Sequence, residues 1–171
     1  MRQRFEQQGR SVVVLKLAKP LYDLQQAFYR LAGKDIDPSD QDQLLLESIA
    51  SHLRRISPTS LVDDFTQRLA LTTADVVIND DLRDPHVDYP ALQRLGFRFV
   101  RVRSDEQLRR SRLAHRADLT VVVESQSSAQ IDLIQPDFYI DNNGSLADLG
   151  QIVAGIAEQL QQAENEHLSL L

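Results

Sequence analysis

The chain has 171 residues, which is enough for one domain with a core that can fold alone. Its net charge of −6 argues against a protein that binds nucleic acid polymers, and the lack of cysteine excludes disulfides, thiolate chemistry and cysteine-based zinc sites. There is no run of about 18 apolar residues and the first ten residues lack the apolar core of a secretory signal, so we expect a cytoplasmic protein without a membrane partner.

The first part of the chain predicts a short helix, a strand and a second helix. The first helix ends at Gly9, and the apolar run Ser11–Leu17 is typical of a buried strand. Pro20 can open the second helix, and Gly33 can end it. Apolar residues at helical spacing predict one buried stripe on this helix: Leu21, Leu24, Phe28 and Leu31.

Two further helices precede the next strand, and Ser39 or Asp40 can cap the first of them. That helix carries apolar residues at helical spacing: Leu45, Ile49, Leu53 and Ile56. The other helix begins near Pro58 and carries a comparable stripe: Val62, Phe65 and Leu69. The run Asp75–Asp80 then predicts a buried strand that ends in acidic residues.

The second half of the chain alternates short strands with helices. A helix from Tyr89 to Leu95 stops at Gly96 and leads into the strand Phe97–Val102. Residues 103–118 predict a basic helix, and Leu119–Ser125 favours a strand.

The last part of the chain predicts one strand and one long helix. The strand Asp137–Asp141 is followed by the turn Asn142–Gly144, and Ser145 and Asp148 frame the start of an amphipathic helix. Short apolar strands separated by helices imply an α/β fold of three layers, with a parallel sheet between helices. Because ligands gather at the carboxyl ends of such strands, the acids that follow Asp75–Asp80 are expected at the functional edge.

Three stretches occur in an order that matches a known family. They are "LKLAKPLYDLQQAFYRLAGK", "VVINDDLRDPHVDYPALQRLGFRFVRV" and "DFYIDNNGSLADL". Together they resemble the deoxynucleoside monophosphate kinases of the P-loop kinase class, whose third motif reads Asp-x-x-Ile-x-Asn-x-Gly-Ser-Leu. The resemblance extends from about Ser11 to Leu149.

The resemblance implies one P-loop kinase-like domain over residues 1–171, with ATP-dependent phosphoryl transfer to a (deoxy)nucleoside monophosphate assisted by Mg²⁺. Asp81 matches the acid that helps to hold the Mg²⁺–nucleotide complex. Arg83 matches the arginine of the same motif, and it would contact a substrate phosphate during catalysis. A nucleotide-binding loop near the adenine of ATP would consist of Asn142, Asn143 and Gly144.

The basic helix 103–118 occupies the place of the family's mobile lid. The resemblance implies that its arginines bring positive charge over the transferring group, with Arg109 and Arg112 in catalytic roles and Arg116 binding the nucleotide. The alternative is that these arginines are only the solvated face of a helix, paired with Asp105 and Glu106.

Several neighbouring residues have simpler interpretations. Asp80 is expected to cap the segment after its strand, whereas the spacing between Asp81 and Arg83 favours a functional role for Asp81. Tyr22 and Tyr29 are candidates for a base pocket. Core packing is the preferred interpretation for Phe28.

One departure from the family leaves two functions open. The chain has no Gly-x-x-x-x-Gly-Lys-Ser/Thr run, which in the family cradles the phosphates. The domain would therefore lack its first, central strand as well, either because the start was assigned too late or because the domain has degenerated. The strands Asp75–Asp80 and Phe97–Val102 would then pair directly or leave a gap.

The complete protein is expected to be a kinase, and this chain alone is expected to be inactive. The alternative is a non-catalytic relative that binds a nucleotide or a partner protein. An open sheet centre would also permit a homodimer.

Overall fold

The computed structural model describes residues 1–114 and 130–169. These residues form an α/β fold of seven α-helices and four short strands: α1 Arg2–Gln7, β1 Val12–Val14, α2 Lys19–Leu31, α3 Gln43–Ile56, α4 Ser60–Ala70, β2 Val76–Ile78, α5 Asp88–Arg94, β3 Val100–Arg103, α6 Glu106–Ala114, β4 Phe138–Asp141 and α7 Leu146–Ser169. A single 3₁₀ turn, Ile131–Leu133, precedes β4. The predicted strand Leu119–Ser125 and residues 115–118 of the predicted basic helix lie outside the described residues.

The four strands form two parallel pairs. β1 pairs with β2 from Val12 opposite Val76, and β3 pairs with β4 from Val100 opposite Phe138. Parallel pairing confirms what strands separated by helices predict. Among the described residues no strand joins β2 to β3, so two separate two-stranded sheets are present there in place of the expected single sheet.

One apolar core links the two strand pairs. Leu17, which follows β1, packs with Val62 and Phe65 of α4, with Leu92 of α5 and with Phe99, which precedes β3. Phe65 is fully buried and Leu92 is 1% exposed. Burial of each such side chain contributes about 1.5–3 kcal/mol, so this core stabilises the arrangement of both strand pairs.

Helix α7 packs against β4 and against α1, and α1 packs against β1. The start of α7 is the predicted one. The amide of Ser145 donates to the Asp148 carboxylate at 2.9 Å, and the amide of Asp148 donates to Ser145 Oγ at 3.2 Å, which is a reciprocal capping box. Arg10 donates to the Glu164 carboxylate at 2.8 Å and to the Asp75 carbonyl at 3.2 Å, and thereby ties α7 to the starts of both β1 and β2.

Helix α2 buries a different face from the one predicted. Beyond Leu21, the predicted stripe is exposed: Leu24 at 37%, Phe28 at 52% and Leu31 at 88%. The buried residue is Gln25, whose amide donates to the Asp40 carbonyl and accepts from the Asp42 amide, both at 2.9 Å. Because these bonds satisfy both ends of the amide, a polar side chain can occupy this position. The predicted core position of Phe28 is wrong.

Helix α3 also begins at a different cap. The carboxylate of Asp42 accepts from the Leu45 amide at 3.2 Å, whereas the sequence pointed to Ser39 or Asp40. Those two residues belong to a turn around Asp37, where Ser39 Oγ donates to the Asp37 carboxylate and the Asp37 amide donates to Asp40. This local turn moves the helix start to the next acid.

The basic helix is shorter at its start than predicted. Residues 100–103 belong to β3, and α6 begins only at Glu106. No helix in the described ranges is long and apolar enough to cross a membrane.

Candidate functional site

A cavity of about 590 Å³ lies at the carboxyl ends of β1 and β2. The segment before α2 and the helices α2, α3 and α4 supply apolar lining residues. They are Leu17, Ala18, Leu21, Leu46, Ala50 and Leu61. Charged side chains from the segment after β2 and from the end of α3 line the other side: Arg54, Asp81, Arg83, Asp84 and Asp88. A volume of this size, with an apolar wall and a few convergent polar groups, is typical of small-molecule sites.

The structure brings Asp81 and Arg83 together in this cavity, as their spacing predicted. Asp81 Oδ1 accepts from the Leu17 amide at 2.9 Å, and Oδ2 accepts from the Ala18 amide at 3.0 Å. Asn79 Nδ2 donates to the same carboxylate at 2.6 Å. Asp81 therefore fixes the segment between β1 and α2, which ends at the residue before the helix, to the end of β2.

Arg83 is exposed at the cavity and makes no hydrogen bond or ion pair within the part of the chain that the structure describes. Its guanidinium carries five donors in a planar fork, which suits a carboxylate or a phosphate. The cavity thus combines an apolar wall with a guanidinium whose donors are unused. This feature of the cavity most clearly indicates an anionic ligand.

A buried ion cluster at the base of the cavity was not indicated by any pattern of residues along the chain. Asp88 is 2% exposed and accepts from Arg54 Nη2 at 2.5 Å, and the Asp84 carboxylate lies 3.5 Å from Arg54 Nη1. Burial raises the pKa of the Asp88 carboxyl, and the hydrogen bond from Arg54 opposes this rise. Arg54 lies 34 residues before Asp88, so only the tertiary structure reveals the pair.

Tyr22 also lines the cavity, as expected of a residue in a base pocket. Burial raises the pKa of its hydroxyl, while the charge of Lys16 acts against this rise. Lys16 Nζ donates to Asp80 at 2.9 Å, and the capping role of Asp80 stays a prediction. Tyr29 donates to the Asp42 carboxylate at 2.7 Å and does not line the cavity.

The bend Asn142–Gly144 forms a second polar group together with α6. The Asp105 amide donates to Asn143 Oδ1 at 2.7 Å, and Arg112 Nη1 donates to the Asn142 carbonyl at 2.9 Å. A Cβ at Gly144 would lie 2.8 Å from the Asp148 carboxylate, so the capping box alone accounts for glycine there. Among the described residues, no hydrogen bond or ion pair joins this bend to Asp81 or Arg83.

Two arginines of α6 are paired along their own helix. Arg109 and Arg110 both donate to Glu106 at 2.7 Å, and these bonds lower the pKa of Glu106 to about 2. Pairing of this kind is what a solvated helix face predicts. Arg116 lies outside the described residues, and the catalytic roles of Arg109 and Arg112 stay predictions.

The acids of the cavity do not by themselves form a magnesium site. Mg²⁺ takes six oxygen ligands at near-ideal octahedral positions, usually one or two carboxylates with phosphates and waters. Asp81 is engaged by backbone amides, while Asp84 and Asp88 are engaged by Arg54. Within the described ranges, no group of three or more metal-ligating side chains could hold an ion. The roles of ATP and Mg²⁺ remain predictions of the resemblance.

No protein-family model and no curated protein matches the chain. The residues of the cavity must therefore carry any functional assignment.

Proposed function

We propose that this chain is a nucleotide kinase-like protein whose cavity binds a (deoxy)nucleoside monophosphate. The observation that carries the proposal is Arg83, a cation without a described partner at the mouth of an apolar-walled cavity. The ligand has two ends: a phosphate that pairs with guanidinium groups and a base that packs against apolar and aromatic side chains.

The charges of the cavity favour one orientation of such a ligand. Arg83, in the segment after β2, and Arg54, near the end of α3, both line the cavity. A phosphate would be placed near these two side chains. Arg54 is held by Asp88, so Arg83 is the cation with all of its donors available to the ligand. Tyr22 and Leu21 of α2 also line the cavity and supply aromatic and apolar surface on which a base would pack.

The arrangement of the strands supports a P-loop kinase-like architecture. In that family the first strand lies between the strands that correspond to β2 and β3, and in the described part of this chain β2 and β3 are not paired with each other. The resemblance assigns ATP as the phosphoryl donor and Mg²⁺ as its partner in the complete protein. The phosphate loop that would bind them has no counterpart in this sequence.

A second function, a non-catalytic nucleotide-binding relative, is favoured by a separate observation. Both oxygens of Asp81 accept backbone amides, which is a structural role and needs no metal. Both functions share the monophosphate cavity, and they differ in turnover. For this chain we expect binding of the nucleotide with little or no release of ADP.

Calorimetric titration of the chain with the four deoxynucleoside monophosphates tests the proposal. Arg83→Ala is expected to weaken binding at least about tenfold, because a charge-assisted hydrogen bond contributes roughly 1.5–3 kcal/mol. Arg94→Ala removes another exposed arginine, at the end of α5 and outside the cavity, and should leave binding unchanged. If no monophosphate binds, the proposal fails.

An ADP-release assay with ATP, Mg²⁺ and the same four nucleotides tests for turnover. Robust turnover by the 171-residue chain would refute the expectation of inactivity and establish the kinase. Binding without turnover would agree with both functions, because this chain is expected to be inactive in either case.

A further inference from the structure

Helix α3 presents a row of polar side chains to the cavity. Gln43, Glu47 and Ser51 line it at intervals of four residues, and Arg54 follows three residues later. Residues at these spacings lie on one face of a helix. The row therefore begins near the open loop before α3 and ends at the ion cluster with Asp88.

Glu47 stands out within this row. Its side chain is half-buried and lines the cavity beside Leu46 and Ala50, yet it makes no hydrogen bond or ion pair within residues 1–114 and 130–169. Other acids of the cavity, such as Asp81 and Asp88, do have protein partners. A partly buried carboxylate without a partner loses hydration, which a ligand that donates hydrogen bonds can restore.

We propose that Glu47 is the specificity-determining residue of the cavity and that it selects guanine among the nucleobases. This inference rests on the proposed function, because it names which monophosphate the cavity takes. The carboxylate of Glu47 accepts hydrogen bonds from the base, while Arg83 and Arg54 face the phosphate.

The position of Glu47 along α3 suits the base end of a nucleotide. Arg54 follows Glu47 by seven positions along the helix. At 1.5 Å per residue, the two positions are roughly 10 Å apart along the helix axis. This distance is on the scale of a mononucleotide from its phosphate to its base. It also keeps the negative charge of Glu47 away from the phosphate.

The chemistry of the base edges accounts for the choice of guanine. An ionised carboxylate only accepts hydrogen bonds. Guanine offers two adjacent donors on its Watson–Crick edge, the N1–H and the N2 amine, so both oxygens of Glu47 are satisfied. Adenine, cytosine and thymine each have an acceptor next to the donor on this edge. That acceptor would face one oxygen of the Glu47 carboxylate, and two acceptors repel each other.

Binding of dGMP, dIMP, dAMP, dCMP and dTMP to the whole chain tests this inference. The wild-type chain should bind dGMP most tightly, and dIMP, which lacks the N2 amine, several-fold more weakly. Glu47→Gln keeps the shape of the side chain but replaces one acceptor with a donor. It should weaken dGMP binding roughly 10- to 100-fold and change the affinities for dAMP, dCMP and dTMP by less than about threefold.

Glu158→Gln is the matched control. It makes the same chemical change on α7, at a side chain that is 60% exposed and lies outside the cavity, and it should alter none of the five affinities. Thermal unfolding of both variants verifies that the fold is retained. Glu47→Asp, which withdraws the carboxylate by one methylene, should reduce the preference for guanine as well.

Two results overturn the inference and leave the proposed function standing. One is equal binding of all the nucleotides by the wild-type chain. The other is an equal loss of affinity for every nucleotide in Glu47→Gln. If the wild-type chain binds no nucleotide, the proposed function fails and the inference fails with it.

Discussion

The carboxylate of Asp88 lies face to face with the guanidinium of Arg54, with Oδ2 at 2.5 Å from Nη2 and Oδ1 at 3.3 Å from Nη1. The pair joins the end of α3 to the start of α5 beneath the cavity. Because Asp88 is almost fully buried, its charge depends on this partner for compensation. The pair therefore fixes the end of α3, the helix that also carries Glu47.

Asp88→Asn is expected to destabilise the fold by about 2–4 kcal/mol, because removal of one partner leaves the other charge partly buried and poorly compensated. Asp84, 3.5 Å from Arg54, compensates only part of this loss. Urea unfolding measures the effect. In a double-mutant cycle, Asp88→Leu combined with Arg54→Met should cost clearly less than the sum of the two single changes. A cost below about 0.5 kcal/mol for Asp88→Asn would contradict the assigned role of the pair.

The parts of the fold that periodicity predicts well are those in which apolar packing decides burial. The α4 stripe of Val62, Phe65 and Leu69 reaches the core as expected, because no polar group competes for that position. On α2 the same reasoning fails at Gln25, since the loop after the helix offers a carbonyl and an amide to the side chain. Spacing along one helix contains no information about such a loop.

The candidate site was predictable only in part, for a comparable reason. Asp81 and Arg83 lie three and five residues after the end of β2, so the rule that ligands gather at strand ends places both of them. Arg54 and Glu47 belong to a helix whose orientation depends on tertiary packing, and no local pattern connects them to β2. The bend at Asn142 was expected near the ligand, but its described hydrogen-bond partners belong to the ends of β3 and β4, to Asp105 and to α6.

Asp81→Asn distinguishes a structural role of this acid from a role that depends on metal. The asparagine retains one acceptor, so one of the two amides, at Leu17 or Ala18, loses its bond and α2 loses a charge near its first turn. We expect a loss of about 1–2 kcal/mol, equal in EDTA and in millimolar Mg²⁺. Thermal unfolding in the two buffers measures it. A loss of stability that appears only in the Mg²⁺ buffer would instead indicate that Asp81 binds the metal ion.

Asp75 provides a test based on pH. The hydroxyl of Ser11 donates to the Asp75 carboxylate at 2.7 Å and its amide donates at 2.8 Å, and both bonds lower the pKa of Asp75 below its ordinary 3.8. Because the folded pKa is the lower one, this contribution to stability is present above pH 3.8 and is lost as pH falls through the folded value.

Ser11→Ala should raise the pKa of Asp75 toward 3.8 but not to it, because the Ser11 amide still donates. NMR titration of the aspartate carboxyl groups measures the change. Asp148, whose pKa is lowered by Ser145 in the same way, serves as an internal reference that should not move. An unchanged Asp75 pKa in Ser11→Ala would remove the hydroxyl as its cause.

Gln25→Leu tests whether the loop before α3 supports the cavity. Gln25 is completely buried, and its loss leaves the Asp40 carbonyl and the Asp42 amide without their partner. Each buried polar group left unsatisfied costs on the order of 1–3 kcal/mol, so we expect a net loss of about 2–4 kcal/mol after the gain from burying leucine. Denaturant unfolding measures this loss.

Gln26→Leu is the matched control, since Gln26 donates at 3.2 Å to the Asp37 carbonyl in an exposed position. It should cost less than about 1 kcal/mol, because water can replace an exposed partner. Gln41 and Gln43 line the cavity on either side of Asp42, the α3 cap that Gln25 holds. Gln25→Leu should therefore also weaken nucleotide binding in conditions where the variant remains folded. Equal effects of the two changes would show that the buried amide does not position this loop.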